Sequence, residues 1–333
     1  MSTNRPTGNV ATALALALAG GVTAAGAAML TLRRKHPSAI PPGSLVPSPL
    51  RLPASPTVDR PTAVLAAQRL NRAAGTIASS VLFDSAVEHY RGAFANKAMF
   101  APLVTSALSL AASLHGTADR SPRAHVARDT AYAAAGVTGL VGTGFHIYNI
   151  GKKPGGFCWQ NLFYSAPIGA PAALILSALT GFLAERVRDN RPGTLPTIFG
   201  LPAGRAVAAA TGVGLMGTVG EAGLLHFRGA YHNPFMFLPV TLPPVAAALL
   251  GGTALGQARK PRRLTRWWLR LTALLGISGV GFHAIGVSRS MGGWRNWSQN
   301  VIDGPPLPAP PSFTGLALAG LAALGLLEDQ PDE

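Results

Sequence analysis

Long apolar stretches rich in Ala, Gly and Leu alternate with short clusters of charge along the chain. Several stretches reach the ~20 residues that a helix needs to cross a hydrocarbon core. The pattern predicts nine transmembrane helices: residues 10–32, then about 73–91, 98–115, 130–150, 163–184, 205–228, 235–255, 267–287 and 311–327. The first run ends in Arg33-Arg34-Lys35 with only Arg5 in front of it. A secretory signal carries its positive charge ahead of the run, so residues 1–36 read as a retained anchor helix, with a cleaved signal as the alternative. Residues 37–64 read as an extended linker, because eight prolines fall between 37 and 61.

The remaining helices are organised by an internal repeat. The run HYRGAFANKAMFAP opens at His89, and HFRGAYHNPFMFLP opens at His226; eight of the fourteen positions are identical. GTGFH ends at His146 and GVGFH at His283, so both histidine pairs are 137 residues apart. Gly155-Gly156 and Gly292-Gly293, then Trp159 to Asn161 and Trp297 to Asn300, then Ala170-Pro171 and Ala309-Pro310 follow in the same order. The expected fold is therefore all-α and integral to the membrane: a tandem duplication of a four-helix bundle, over 65–192 and 203–333, plus the N-terminal helix. An even number of helices per half makes the halves parallel repeats about an axis along the membrane normal.

Composition agrees with this and removes one function class. Only 12% of the 333 residues are charged, roughly half of what a soluble domain carries. A net charge of +15 would suggest nucleic acid in a soluble protein, but here 20 of the 28 Lys and Arg crowd one set of loops and helix starts. By the positive-inside rule that side is cytoplasmic, which puts all four repeated histidines near the periplasmic face of a bacterial inner membrane. Nucleic acid is not an expected partner; membrane lipid is. Cys158 is the single cysteine, which leaves no disulfide frame, no covalent haem attachment and no thiolate cluster.

His89 and His146, or His226 and His283, lie on the first and third helices of a half. These are diagonal neighbours in an up-down-up-down bundle. Two imidazoles projecting inward from diagonal helices suit bis-histidine ligation of haem b, two haems per chain. Gly144 and Gly281 are candidates for admitting a ring close to the backbone, and Arg91 and Arg228 for meeting propionates. A histidine at a helix end can also simply bond the last carbonyls, but four at matched positions point to a task, since ionisable groups in membrane segments are costly. Asp84 and Glu221 are a second matched pair, roughly 7.5 Å deeper than the histidines, and suit proton handling or a helix-to-helix hydrogen bond. Asn96 and Asn233 read as turn or capping residues, and Met99 and Met236 as packing.

Together these features lead to an expected electron-transfer subunit that takes electrons from a periplasmic dehydrogenase, a flavin enzyme being the natural candidate, and passes them to quinone. The tandem layout resembles, in architecture alone, the haem-free quinone-binding subunits of polysulfide-reductase type enzymes. That resemblance implies the main alternative, a haem-free quinone subunit; a transporter of parallel repeats is another.

Overall fold

A computed structural model of the chain describes residues 60–165, 167–190, 194, 196–198, 200–256 and 262–328. The expected anchor helix and most of the Pro-rich linker lie outside these residues. The described chain is helical: α1 (Arg60–Arg91), α2 (Ala101–Ala118), α3 (Val126–Gly151), a short α4 (Trp159–Tyr164), α5 (Gly169–Arg188), α6 (Ala203–Arg228), α7 (Leu238–Ala254), α8 (Arg262–Arg289), a short α9 (Trp297–Asp303) and α10 (Pro311–Glu328). A two-residue antiparallel pair, Thr197–Ile198 with Leu201–Pro202, turns the chain between α5 and α6.

Six of these helices (α2, α5, α6, α7, α8 and α10) are long and apolar enough to cross a membrane, so this is a multi-pass membrane protein. Helices α1 and α3 are as long but more polar. The first carries Arg69, Arg72, Asp84, Glu88 and Arg91, and the second carries Arg128 and Asp129.

Two expected boundaries are corrected. The first helix begins at Arg60 rather than near 73. Ala63, Ala66, Ala67 and Leu70 bury one face of its extra turns while Leu65 stays exposed, an amphipathic start that its arginines disguised. The stretch expected as one helix over 163–184 is instead α4 and α5, broken between Tyr164 and Gly169. Pro167 sits in the break, where it disfavours helix for the residue before it.

Helix α1 packs on α2 and α5, and α3 packs on the same two. Likewise α6 and α8 both pack on α7 and α10. Contacts of α1 with α10, and less extensive contacts of α5 with α6, join the halves. Glycines permit the close approaches, as is usual between membrane helices. A Cβ at Gly139 would stand 2.8 Å from the Pro171 carbonyl oxygen, and one at Gly276 would stand 2.8 Å from that of Pro310. At the seam between halves, Ile77 of α1 fills the space over Gly315 of α10, while Leu176 of α5 fills the space over Gly214 of α6. In repeat alignment these are the same two positions with large and small residues exchanged.

Candidate functional site

Each of α1 and α6 carries a histidine in its last turn and is followed by a chain reversal whose conformation the sequence does not advertise. Ala93 and Phe94 take φ of 53° and 46°, and Ala230 and Tyr231 take 54° and 45°. Non-glycine residues rarely adopt this left-handed region, because Cβ crowds the backbone there. The turn carries the chain back over the helix end, with Phe94 N–H donating to the His89 carbonyl (3.0 Å) and Tyr231 N–H to that of His226 (3.1 Å). Phe94 then stacks on Phe100 and Tyr231 on Phe237, at ring distances of 4.3 and 4.5 Å. As expected, Asn96 and Asn233 cap the 3-10 turns that follow, accepting from Ala98 N–H and Phe235 N–H.

These turns present the Met99 and Met236 carbonyls to the histidines. Nδ1 of His89 lies 2.6 Å from the Met99 oxygen, and Nδ1 of His226 lies 2.8 Å from that of Met236. On the third helices the segments before α5 and before α10 supply the carbonyl instead. Nδ1 of His146 lies 2.5 Å from the Pro167 oxygen, and Nδ1 of His283 lies 2.7 Å from that of Pro306. A carbonyl oxygen can only accept, so all four Nδ1 atoms carry the proton. In the neutral ring each Nε2 then keeps its lone pair, the tautomer that a metal-bound imidazole uses.

Two observations place the histidines of one half on facing sides. Asn71 of α1 accepts a hydrogen bond from the Tyr132 hydroxyl of α3 at 2.5 Å, so those faces meet across the helix group. His89 lies eighteen residues after Asn71, which is about five whole turns and hence the same face. His146 follows Tyr132 by fourteen residues, about four turns and within roughly 40° of its direction. In addition, His89 is within electrostatic reach of His146, and His283 within reach of His226. Among the described residues no three His, Cys, Asp or Glu gather as a metal-ion site.

The glycines take other places. Gly144 and Gly281 precede their histidines by two residues, about 200° round the helix, and both are exposed. Gly142 and Gly279, on the inner side, pack against Pro171 and Pro310.

The matched acids face the seam. Asp84 is within electrostatic reach of Glu221 across it, and Glu221 accepts from the Gly169 backbone at the start of α5. Arg91 pairs with Glu88 at 2.9 Å, and Arg228 reaches the Ser165 carbonyl at 3.4 Å and lies over the Phe163 ring.

A buried ionic cluster at the opposite end was missed by sequence reasoning, which counted its arginines only as topological charge. Arg128, Glu185 and Arg188 are no more than 1% exposed. Arg128 bonds Asp119 at 2.8 Å and Glu185 at 2.9 Å, while Arg188 donates to the carbonyls of Gly116, Asp119 and Ser121. Burial pushes the Asp119 carboxyl up, but the Ser121 N–H, the Arg128 hydrogen bond and the charges of Arg128 and Arg188 outweigh it, and Asp119 is held below the ordinary carboxylate range. The available signal was an acid beside each arginine, as in Arg128-Asp129 and Glu185-Arg186.

No family model matches the chain, and no curated protein or solved structure is similar to it.

Proposed function

We propose that the chain is a tandem duplication of a four-helix membrane unit and serves as a dihaem b-type electron-transfer subunit. On this reading it lies in the bacterial inner membrane with its histidine ends facing the periplasm. It accepts electrons there from a dehydrogenase partner and delivers them to quinone.

The observation that carries the reading is the common state of the four histidines. Each is half-buried on an inner helix face, and each has Nδ1 tied to a carbonyl so that Nε2 is free to ligate. A lone helix-end histidine needs only one bond to be satisfied, and these have it already. What that leaves over, twice, is a pair of nitrogen lone pairs on diagonal helices, and the donor set of a low-spin haem is two such imidazoles. Bound haem supplies one-electron chemistry. The chain's own contribution is to fix the tautomer and aim the rings. Arg91 and Arg228 follow the first-helix histidines by two residues, about 200° round the helix, and are taken up by Glu88 and by the Ser165 carbonyl, so the propionate role expected of them gains no support from their placement.

Purified protein should give a b-type spectrum, oxidised and dithionite-reduced, and about two haems per chain by pyridine haemochrome. Replacing His89 by Ala should remove about half of the haem, and adding His146→Ala should remove little more, because both serve one site. Replacing His89 together with His226 should remove all of it. Complete loss from the His89–His146 double variant, with the fold kept, would refute pairing within a half, and a colourless parent would refute the cofactor.

A further inference from the structure

At the histidine end a pocket of about 400 Å³ opens on the seam between the two halves. Its walls come from three places: Glu88 and Arg91 at the end of α1, Tyr164, Ser165 and Pro167 in the break before α5, and Arg228 at the end of α6. We propose that this seam pocket binds the ring of a quinone, one per chain, with Arg228 and Ser165 as donors to a ring oxygen. The inference deepens the reading of the protein as quinone-reactive and rests on it.

Three observations select the ligand. First, the polar groups at this place have hydrogen-bonding capacity that the chain does not use. The Ser165 Oγ, the Arg228 Nε and the Glu221 Oε1 are buried and have no hydrogen-bond partner within the protein. Glu221 lies seven residues before Arg228, about two turns deeper on the same face of α6. A column of donor, donor and acceptor therefore runs down the seam from the pocket. A quinone carbonyl asks for donors, and the hydroxyl of its reduced form asks for an acceptor, so one ring can meet both.

Second, the charge is balanced. Arg91 pairs with Glu88 at 2.9 Å and lies 3.9 Å from Asp303, so two carboxylates stand against the guanidinium groups of Arg91 and Arg228. A balanced, dipolar pocket suits a neutral ligand with polar edges better than the phosphate of a lipid headgroup, which would need a surplus of positive charge.

Third, the size and the exit fit. The volume is in the range of single-ring ligand sites. The apolar tail of a membrane quinone would follow the seam between α5 and α6, which pack less extensively than α1 and α10. The site draws on both halves, and its counterpart across the seam differs chemically: Asp303 and Gly304 stand where Tyr164 and Ser165 do, and Asp303 lies 3.9 Å from Arg91, so the serine donor is missing there.

The test is titration of the purified full chain in detergent with a fluorescent heptyl-hydroxyquinoline N-oxide, a quinone analogue whose emission is quenched on binding. The parent should bind one per chain. Ser165→Trp, which fills the pocket, and Arg228→Gln should each weaken binding roughly tenfold or more. Leu255→Trp, exposed at the opposite end, should leave it unchanged. Haem per protein and thermal unfolding are measured on every variant, so loss of fold or cofactor is separated from loss of the pocket. Unaltered binding in a folded Ser165→Trp variant overturns the site, as does a stoichiometry of two. A parent that binds no analogue but releases tightly held phospholipid on Ser165→Trp overturns the ligand class while leaving the haem reading intact. A haem-free parent whose binding still depends on Ser165 and Arg228 sinks the haem reading and keeps this one.

Discussion

The two ends of this molecule treat the internal repeat in opposite ways. At the histidine end the halves keep the same set of bonds around the histidines: the same strained turn, the same Asn cap, a backbone carbonyl on each Nδ1. At the other end each half has a partly exposed ion pair, Arg186 with Asp129 and Arg266 with Glu328, but the buried residues differ in chemistry. Asn71, Ser113, Arg128, Tyr132, Glu185 and Arg188 stand in repeat alignment with Ala208, Leu250, Thr265, Leu269, Leu324 and Leu327. The packing is nevertheless the same, since the Tyr132 ring lies against Gly181 and the Leu269 side chain lies against its counterpart Gly320. One helix group closes its end with a network of ions and hydroxyls, and the other closes it with leucine. Folding therefore accepts either filling, which is a general property of buried ion pairs and apolar cores of similar volume. Since folding is this permissive at one end, the sameness of the histidine end calls for a cause other than packing.

The comparison is broken or sharpened most strongly by removing one partner from the ionic end. Glu185→Leu leaves Arg128 and Arg188 buried without their shared carboxylate, and should cost about 3–5 kcal/mol in detergent unfolding. Replacing the whole end at once should behave differently. Asn71→Ala, Ser113→Leu, Gly116→Thr, Asp119→Gly, Arg128→Thr, Tyr132→Leu, Glu185→Leu and Arg188→Leu together copy the second half into the first. That variant should be folded and as stable as the parent, or up to about 1–4 kcal/mol more stable, with unchanged haem per protein. Collapse of the composite variant would mean that the ionic end does something for this half that leucine cannot.

Much of this was legible in the sequence, and the exceptions have physical causes. The all-helical fold, the apolar spans and the capping role of Asn96 and Asn233 follow from residue type and spacing. The carbonyl partners of the histidines were not legible. They depend on Ala93, Phe94, Ala230 and Tyr231 entering a backbone region that their side chains disfavour; the neighbouring Gly and Asn residues mark a turn but not which residues take that conformation. The ionic cluster was hidden for another reason. A charge near a loop reads the same in sequence whether it faces water or, like Arg188, lies wholly beneath a neighbouring helix end. The start of α1 was hidden by composition, because a 32-residue helix that is amphipathic for its first turns averages to something less apolar than a span.

The smallest effect tests the sameness of the histidine end most directly. A non-glycine residue in the left-handed region costs roughly 1–2 kcal/mol, and glycine there gives back about half of that through its greater freedom in the unfolded chain. Ala93→Gly and Ala230→Gly should therefore each stabilise the protein by about 0.5–1 kcal/mol in unfolding experiments. The two positions share φ to within a degree and the same hydrogen-bonded turn, so the two effects should be equal and nearly additive. Stability is one readout and cofactor geometry is the other. The strained turn holds the Met99 and Met236 carbonyls on the histidine rings, so if the proposed haem is bound a looser turn should broaden its reduced band or lower its retention while stability rises. Gains at both sites with unaltered haem would make the turn a plain chain reversal. A gain at one site only would show that the two histidine ends, alike in geometry, do not carry the same strain.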